Sequence, residues 1–333
     1  MPLPHLKISR GVDSCPRFRR MRGIRRRILI VAMGVAWMPL AHAARQGPAQ
    51  GEAAEVAVLM ARVGAPSPAA VDEFKKAGME EVRPHVLTAP ERAKVESVLA
   101  SLPELNRRVL EKKLHTLAFV DGVPGEGTGL TSRDGTTGLY DITLRASILD
   151  EPLSTFLTNK EQRVFREDGS GITVTVTGTG TDAVTYVLLH ESTHVVDFAC
   201  GITAQPQRGF GAGIWASQKE MVLELADSIA AKTYFRGGSR VPMGQAAAVY
   251  DALAQTPFVS VYATAEPQED LAELVAWREI QKEHHGGLVI TVKDAQGKTL
   301  GRWEPLSFPA VARRFAEVDR LLAQQGPCSG LSS

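Results

Sequence analysis

The chain has 333 residues and a formal charge of +1, from 38 basic and 37 acidic side chains. That balance excludes the one-signed field of a nucleic-acid or membrane-surface binder. With 44% hydrophobic residues the composition is that of a globular chain long enough for one large domain or two smaller ones.

The beginning reads as a targeting segment. Arg17, Arg19, Arg20, Arg22, Arg25, Arg26 and Arg27 form a basic run, and an apolar stretch follows over 28–40. Ala41-His42-Ala43-Ala44 then has the small residues that signal peptidase reads. Residues 1–43 are expected to be a signal peptide cleaved after Ala43, with Met21 as an alternative start. The apolar stretch is short for a membrane span, so no stable span is expected after cleavage. The mature protein is placed in the periplasm or outside a bacterial cell; a twin-arginine route is only weakly suggested. Cys15 leaves with the leader. Cys200 and Cys328 remain, and two cysteines in an exported protein fit one disulfide, with two free thiols as the alternative.

Residues 44–120 read as a mainly helical region. Helices are expected over 55–63, 71–79, 90–99 and 104–117, with Pro90 suited to a first helical turn. His85 and His115 are read as structural or solvated. A glycine-rich loop over 121–129 neither follows a clear strand nor opens a helix, which argues against phosphate binding. Strands are expected over 140–149 and 172–177 from their alternation, and a helix over 153–165. Either strand could offer an edge to an extended peptide.

The segment 183–199 holds the first strong motif, His190-Glu191-Ser192-Thr193-His194. On a helix, capped by Thr181 or Asp182, residues four apart share a face. His190 and His194 can then aim imidazole nitrogens at one metal ion. Glu191 sits where it can act as general base on a water at that ion. A site of this kind needs a third ligand. An acid-rich helix is expected within 214–235, with Glu220, Glu224 and Asp227 as a solvated stripe, and a short helix over 245–255. A further helix begins at Pro267, and its Glu269 and Glu273, four apart, lie on one face. A glutamate from this helix would complete a His2Glu zinc site with an open fourth position. The adjacent pair His284-His285 does not share a helix face and is read as a helix end. A hairpin over 288–292 and 299–303 and a closing helix over 308–324 complete the chain.

The motif His190-Glu191-Ser192-Thr193-His194-Val195-Val196-Asp197, with Tyr262 seven residues before Glu269 and Glu273 four after it, resembles the gluzincin metallopeptidases, most closely the anthrax lethal factor type of zincin. The resemblance implies that His190, His194 and Glu269 bind Zn2+, that Glu191 is the base, and that Tyr262 donates to the oxyanion. It implies that Asp197 and Glu273 orient the ligand histidines. The expected fold is α+β: a zincin-like domain over 121–327, with an active-site helix and a small β-sheet, behind the helical region. The expected activity is peptide-bond hydrolysis, endopeptidase rather than exopeptidase, with a protein or peptide as partner. A non-hydrolytic zinc-binding scaffold of the envelope, or a secreted effector protease with one target, is the alternative.

Overall fold

The computed structural model describes residues 48–125 and 127–323. The expected signal peptide and the partner Cys328 expected for Cys200 lie outside those residues. No helix among the described residues is long and apolar enough to cross a membrane.

In chain order come α1 (Pro48–Met60), β1 (Val63–Gly64), α2 (Pro68–Lys76), β2 (Glu80–Pro84), α3 (Ala89–Ser101), α4 (Glu104–Lys113), β3 (Leu114–Val123), β4 (Gly129–Arg133) and β5 (Tyr140–Arg145). Then follow α5 (Leu153–Gln162), β6 (Phe165–Arg166), β7 (Thr173–Gly178), α6 (Ala183–Cys200), α7 (Leu223–Ala226), β8 (Val241–Pro242), α8 (Ala246–Leu253), α9 (Pro267–Glu283), β9 (Leu288–Lys293), β10 (Thr299–Trp303) and α10 (Pro309–Ala323). The class is mixed helix and strand, α+β in the broad sense, and the described residues fall in one compact unit.

Two sheets matter for the site. In the five-stranded sheet, β3 is the centre. It pairs parallel with β5 on one side, and with β1 (parallel) and β2 (antiparallel) on the other. β4 runs antiparallel to β5 and forms an edge. In the three-stranded sheet the order is β10-β9-β7.

The region expected to be helical to residue 120 therefore supplies three strands, and the boundary placed at residue 120 falls inside β3. The helix expected over 104–117 stops at Lys113. Its last carbonyls are taken by the Arg62 guanidinium, which donates to Leu110 O at 2.8 Å and also to Glu111 O and Leu114 O. A cation on the orphan carbonyls ends a helix favourably. Beyond it, Leu117 and Phe119 join the core through β3.

The two strands proposed as peptide edges are not free. β5 lies between β3 and β4 and every residue of it is buried; its expected extension over 146–149 is a 3-10 turn. The outer edge of β7 is closed by α5. Ser154 Oγ donates to Gly178 O and accepts from Gly178 N, both at 3.1 Å. Thr158 Oγ1 does the same for Val176 at 3.1 and 2.9 Å.

The acid-rich helix expected within 214–235 is also absent. That stretch forms the four-residue α7 and several 3-10 turns. Trp215 is buried there and donates to Asp270 Oδ2 at 3.0 Å, so tertiary contact overrides local helix preference.

At the heart of the molecule α6 packs between α4, α5, β4 and α9. Residues 183–197 of α6 are all buried, as its apolar surround requires. Asp182 caps it, accepting from Thr185 N at 3.0 Å, and Gly201 ends it with φ 67°, a left-handed conformation open to glycine.

Candidate metal centre

Side by side on the face of α6 stand His190 and His194, with Nε2 atoms 3.2 Å apart. From α9, Glu269 brings its Oε2 to 2.9 Å from His190 Nε2 and 3.5 Å from His194 Nε2. Ligand atoms bound at about 2.0–2.1 Å around a tetrahedral ion lie roughly 3.3–3.4 Å from one another. The three donors thus already match the spacing of one small cation. The donor set, two imidazoles and one carboxylate, is of the borderline kind that suits zinc.

The electrostatics agree with a site shaped for positive charge. Burial disfavours a charged His190, but the hydrogen bond to Glu269 and the close approach of Glu273, with the attraction of both carboxylates, outweigh it, raising its pKa to about 10. Burial also disfavours a charged Glu269. Attraction to His194 and the hydrogen bond with His190 prevail and hold it well below the usual carboxylate range.

Behind His190 lies Glu273, only 1% exposed. Its Oε1 is 3.2 Å from His190 Nδ1, in ion-pair range but off the line of a well-formed hydrogen bond. Tyr186 Oη donates to the same oxygen, and Ser260 Oγ donates to Oε2 at 2.7 Å. Glu273 therefore lies against His190, whereas Asp197 makes no hydrogen bond to either histidine among the described residues. Its carboxylate accepts from Thr203 N at 2.7 Å and Thr203 Oγ1 at 2.6 Å. It closes the loop after α6, while His194 Nδ1 has no hydrogen-bond partner among the described residues.

On the other flank is Glu191. Thr131 Oγ1, from the edge strand β4, donates to its Oε2 at 2.7 Å and to its backbone carbonyl at 3.2 Å. A Cβ at Gly129 would lie 2.4 Å from Glu191 Oε1. The glycine-rich loop thus has a use that its composition did not disclose, since it lets backbone pass directly against the Glu191 carboxylate. Gly127, Thr128 and Gly129 line a cavity of about 160 Å³ together with Phe156, Lys160, His190, Glu191 and Tyr262. Tyr262 is placed by a turn whose carbonyls are held from outside: Arg236 Nη1 donates to Thr264 O and Ala265 O at 2.7 and 2.9 Å.

The motif's central pair is anchored too. Buried Asn106 of α4 donates through Nδ2 to Ser192 Oγ at 2.9 Å and Thr193 Oγ1 at 3.4 Å, tying α6 to α4 from behind. Asn106, Thr131, Lys160 and Arg236 lie outside every motif segment, and no spacing in the chain marks them.

Among the described residues a second group, His115, Asp134 and Asp141, also brings donor atoms together. These contacts have ordinary explanations. His115 Nδ1 pairs with Asp141 Oδ1 at 2.9 Å, and Asp134 accepts from Thr136 N and Thr137 N in the β4–β5 turn. Glu220, Glu224 and Asp227 take no part in the centre.

Compared with known proteins, the chain matches no family model, no curated protein and no solved structure.

Proposed function

We propose that this protein is a zinc-dependent metallopeptidase, a zincin-like endopeptidase that is exported and acts on proteins or peptides. The observation that carries this reading is the convergence of His190 Nε2, His194 Nε2 and Glu269 Oε2 within 3.5 Å of one another, with Glu191 next to His190 on the same helix and Tyr262 on the same cavity. A purely structural zinc site has four protein ligands and needs neither a base nor a phenol.

Zinc, when bound, would supply Lewis-acid polarisation of the scissile carbonyl and lower the pKa of water. The remaining steps belong to the chain. Glu191, oriented by Thr131, takes the proton of the attacking water and returns it to the leaving amine. Tyr262 donates to the oxyanion of the tetrahedral intermediate. Among the described residues β4 pairs only with β5, so its other edge can add an extended peptide as a further strand and lay the scissile bond across the site. That edge takes the role first sought on β5 and β7.

Glu191→Gln should keep zinc near stoichiometric and reduce casein hydrolysis by about 10²–10⁴; undiminished hydrolysis would end the peptidase reading. Tyr262→Phe should cost about 10²–10³ in kcat with little change in KM.

A further inference from the structure

Lys160 is an unusual residue to find beside this centre. It lies on α5, far in sequence from both motif segments, and its side chain is only 14% exposed. Its Nζ donates to Glu273 Oε1 at 2.9 Å and to Tyr186 Oη at 3.2 Å. The same ammonium stands 3.8 Å from the centroid of the Tyr262 ring, well inside cation–π range. An ammonium has three N–H donors, and here a carboxylate, a phenol oxygen and an aromatic face engage them. Lys160 is therefore unsuited to hold an acidic substrate group. What it touches instead are the proposed oxyanion donor and the carboxylate behind a proposed ligand.

We propose that Lys160 is a positioning residue of this site, fixing the Tyr262 ring and the Glu273 carboxylate in one arrangement about His190. This deepens the peptidase reading and rests on it. Lys160 touches no reacting atom; it acts through Tyr262 and Glu273. A desolvated lysine is costly unless paired, and a purely apolar side chain at position 160 would leave Glu273 buried without its cation. The pairing therefore orders both neighbours at once. Outer partners of this kind typically change activity or metal affinity about 10–100-fold.

The test is a double-mutant cycle. Lys160→Met should lower kcat about 10–100-fold with KM nearly unchanged. In a Tyr262→Phe background the same change should cost less than about threefold, because the residue through which it acts is already gone. Lys160→Arg should recover part of the loss, since it keeps the charge and the ring contact but not the compact ammonium geometry. Should Lys160→Met fail to fold, Lys160→Met/Glu273→Gln removes both buried charges and is measured against Glu273→Gln alone, with and without Tyr262→Phe, in the same cycle. A second readout needs neither metal nor substrate. The chain has five tyrosines, so the Tyr262 ring resonance can be assigned in ¹³C-tyrosine-labelled metal-free protein through Tyr262→Phe. It should move on Lys160→Met. Full kcat in a folded Lys160 variant, losses that simply multiply with Tyr262→Phe, or an unmoved resonance would each overturn the proposal. No hydrolysis by the wild-type protein would instead sink the peptidase reading, because the resonance is read without it.

Discussion

On the proposed reading, a proton on His190 would take the place of the cation whenever no metal is bound. Two carboxylates face that imidazole, at 2.9 Å for Glu269 and 3.2 Å for Glu273, and raise its pKa to about 10. A metal at the same place must expel the proton. Zinc uptake at pH 7–8 should therefore release about one proton from this residue. Calorimetry in two buffers of different ionisation heat reads that number, and zinc uptake without proton release would contradict the picture. Glu161 is a different case. Burial raises it to about 7 from 4.5, despite the hydrogen bond from Tyr250 and the attraction of Lys160. A raised carboxyl contributes stability that is complete below its unfolded value and is lost as pH rises through its folded value. The stability of the wild type should thus fall between about pH 4.5 and 7 by up to roughly 3 kcal/mol from this group. Glu161→Gln, which can still accept from Tyr250, should flatten that part of the curve and exceed wild type at pH 8. Denaturant titrations at pH 5 and pH 8 decide it; parallel curves for the two proteins would remove Glu161 from the account.

α9 is the element on which the centre depends most, because it brings Glu269 and Glu273 to the histidines. It is held by Asp270, fully buried, which accepts from Arg314 Nη1 at 2.6 Å and Nη2 at 2.9 Å and from Trp215 Nε1 at 3.0 Å. Removing one partner of a buried pair leaves the other charge uncompensated and costs about 3–5 kcal/mol. Arg314→Met should lower stability by that order and weaken zinc retention, while Arg314→Met/Asp270→Asn recovers part of both; a neutral Arg314→Met in thermal unfolding would show that α9 is anchored elsewhere. The helices α6 and α9 are legible in the sequence, because two histidines four residues apart, a capping aspartate and a proline in the first turn are local signals. The rest of the site is not. Thr131 reaches Glu191 from 60 positions away along the chain, and Lys160 reaches Glu273 across 113. Local pattern also mistook the end of α4, where the apolar spacing runs on into β3 while Arg62, from the turn after α1, takes the last helical carbonyls. Asp197 shows the opposite error: its place in the motif suggests a ligand's support, but the left-handed turn at Gly201 carries Thr203 back to take both its oxygens.

For the molecule as a whole, the question is whether the metal makes the fold or the fold makes the site. α6 is buried along residues 183–197 and joined to α4 by Asn106 and to α5 and α9 through Tyr186, Lys160 and Glu273. None of those contacts runs through a metal ion. Chelation should therefore leave the far-ultraviolet circular dichroism unchanged and lower the melting temperature only by the binding free energy lost, in contrast to small domains that unfold when zinc is removed. Loss of secondary structure on chelation would reverse that order of dependence. The central claim itself is that His190, His194 and Glu269 together hold a single metal ion, and elemental analysis of purified protein tests it most directly. One zinc per chain is expected in the wild type and in Glu191→Gln, with less than about a tenth of that in Glu269→Ala. A wild-type protein purified and dialysed with zinc that retains none, or a Glu269→Ala variant that retains the full complement, would contradict it.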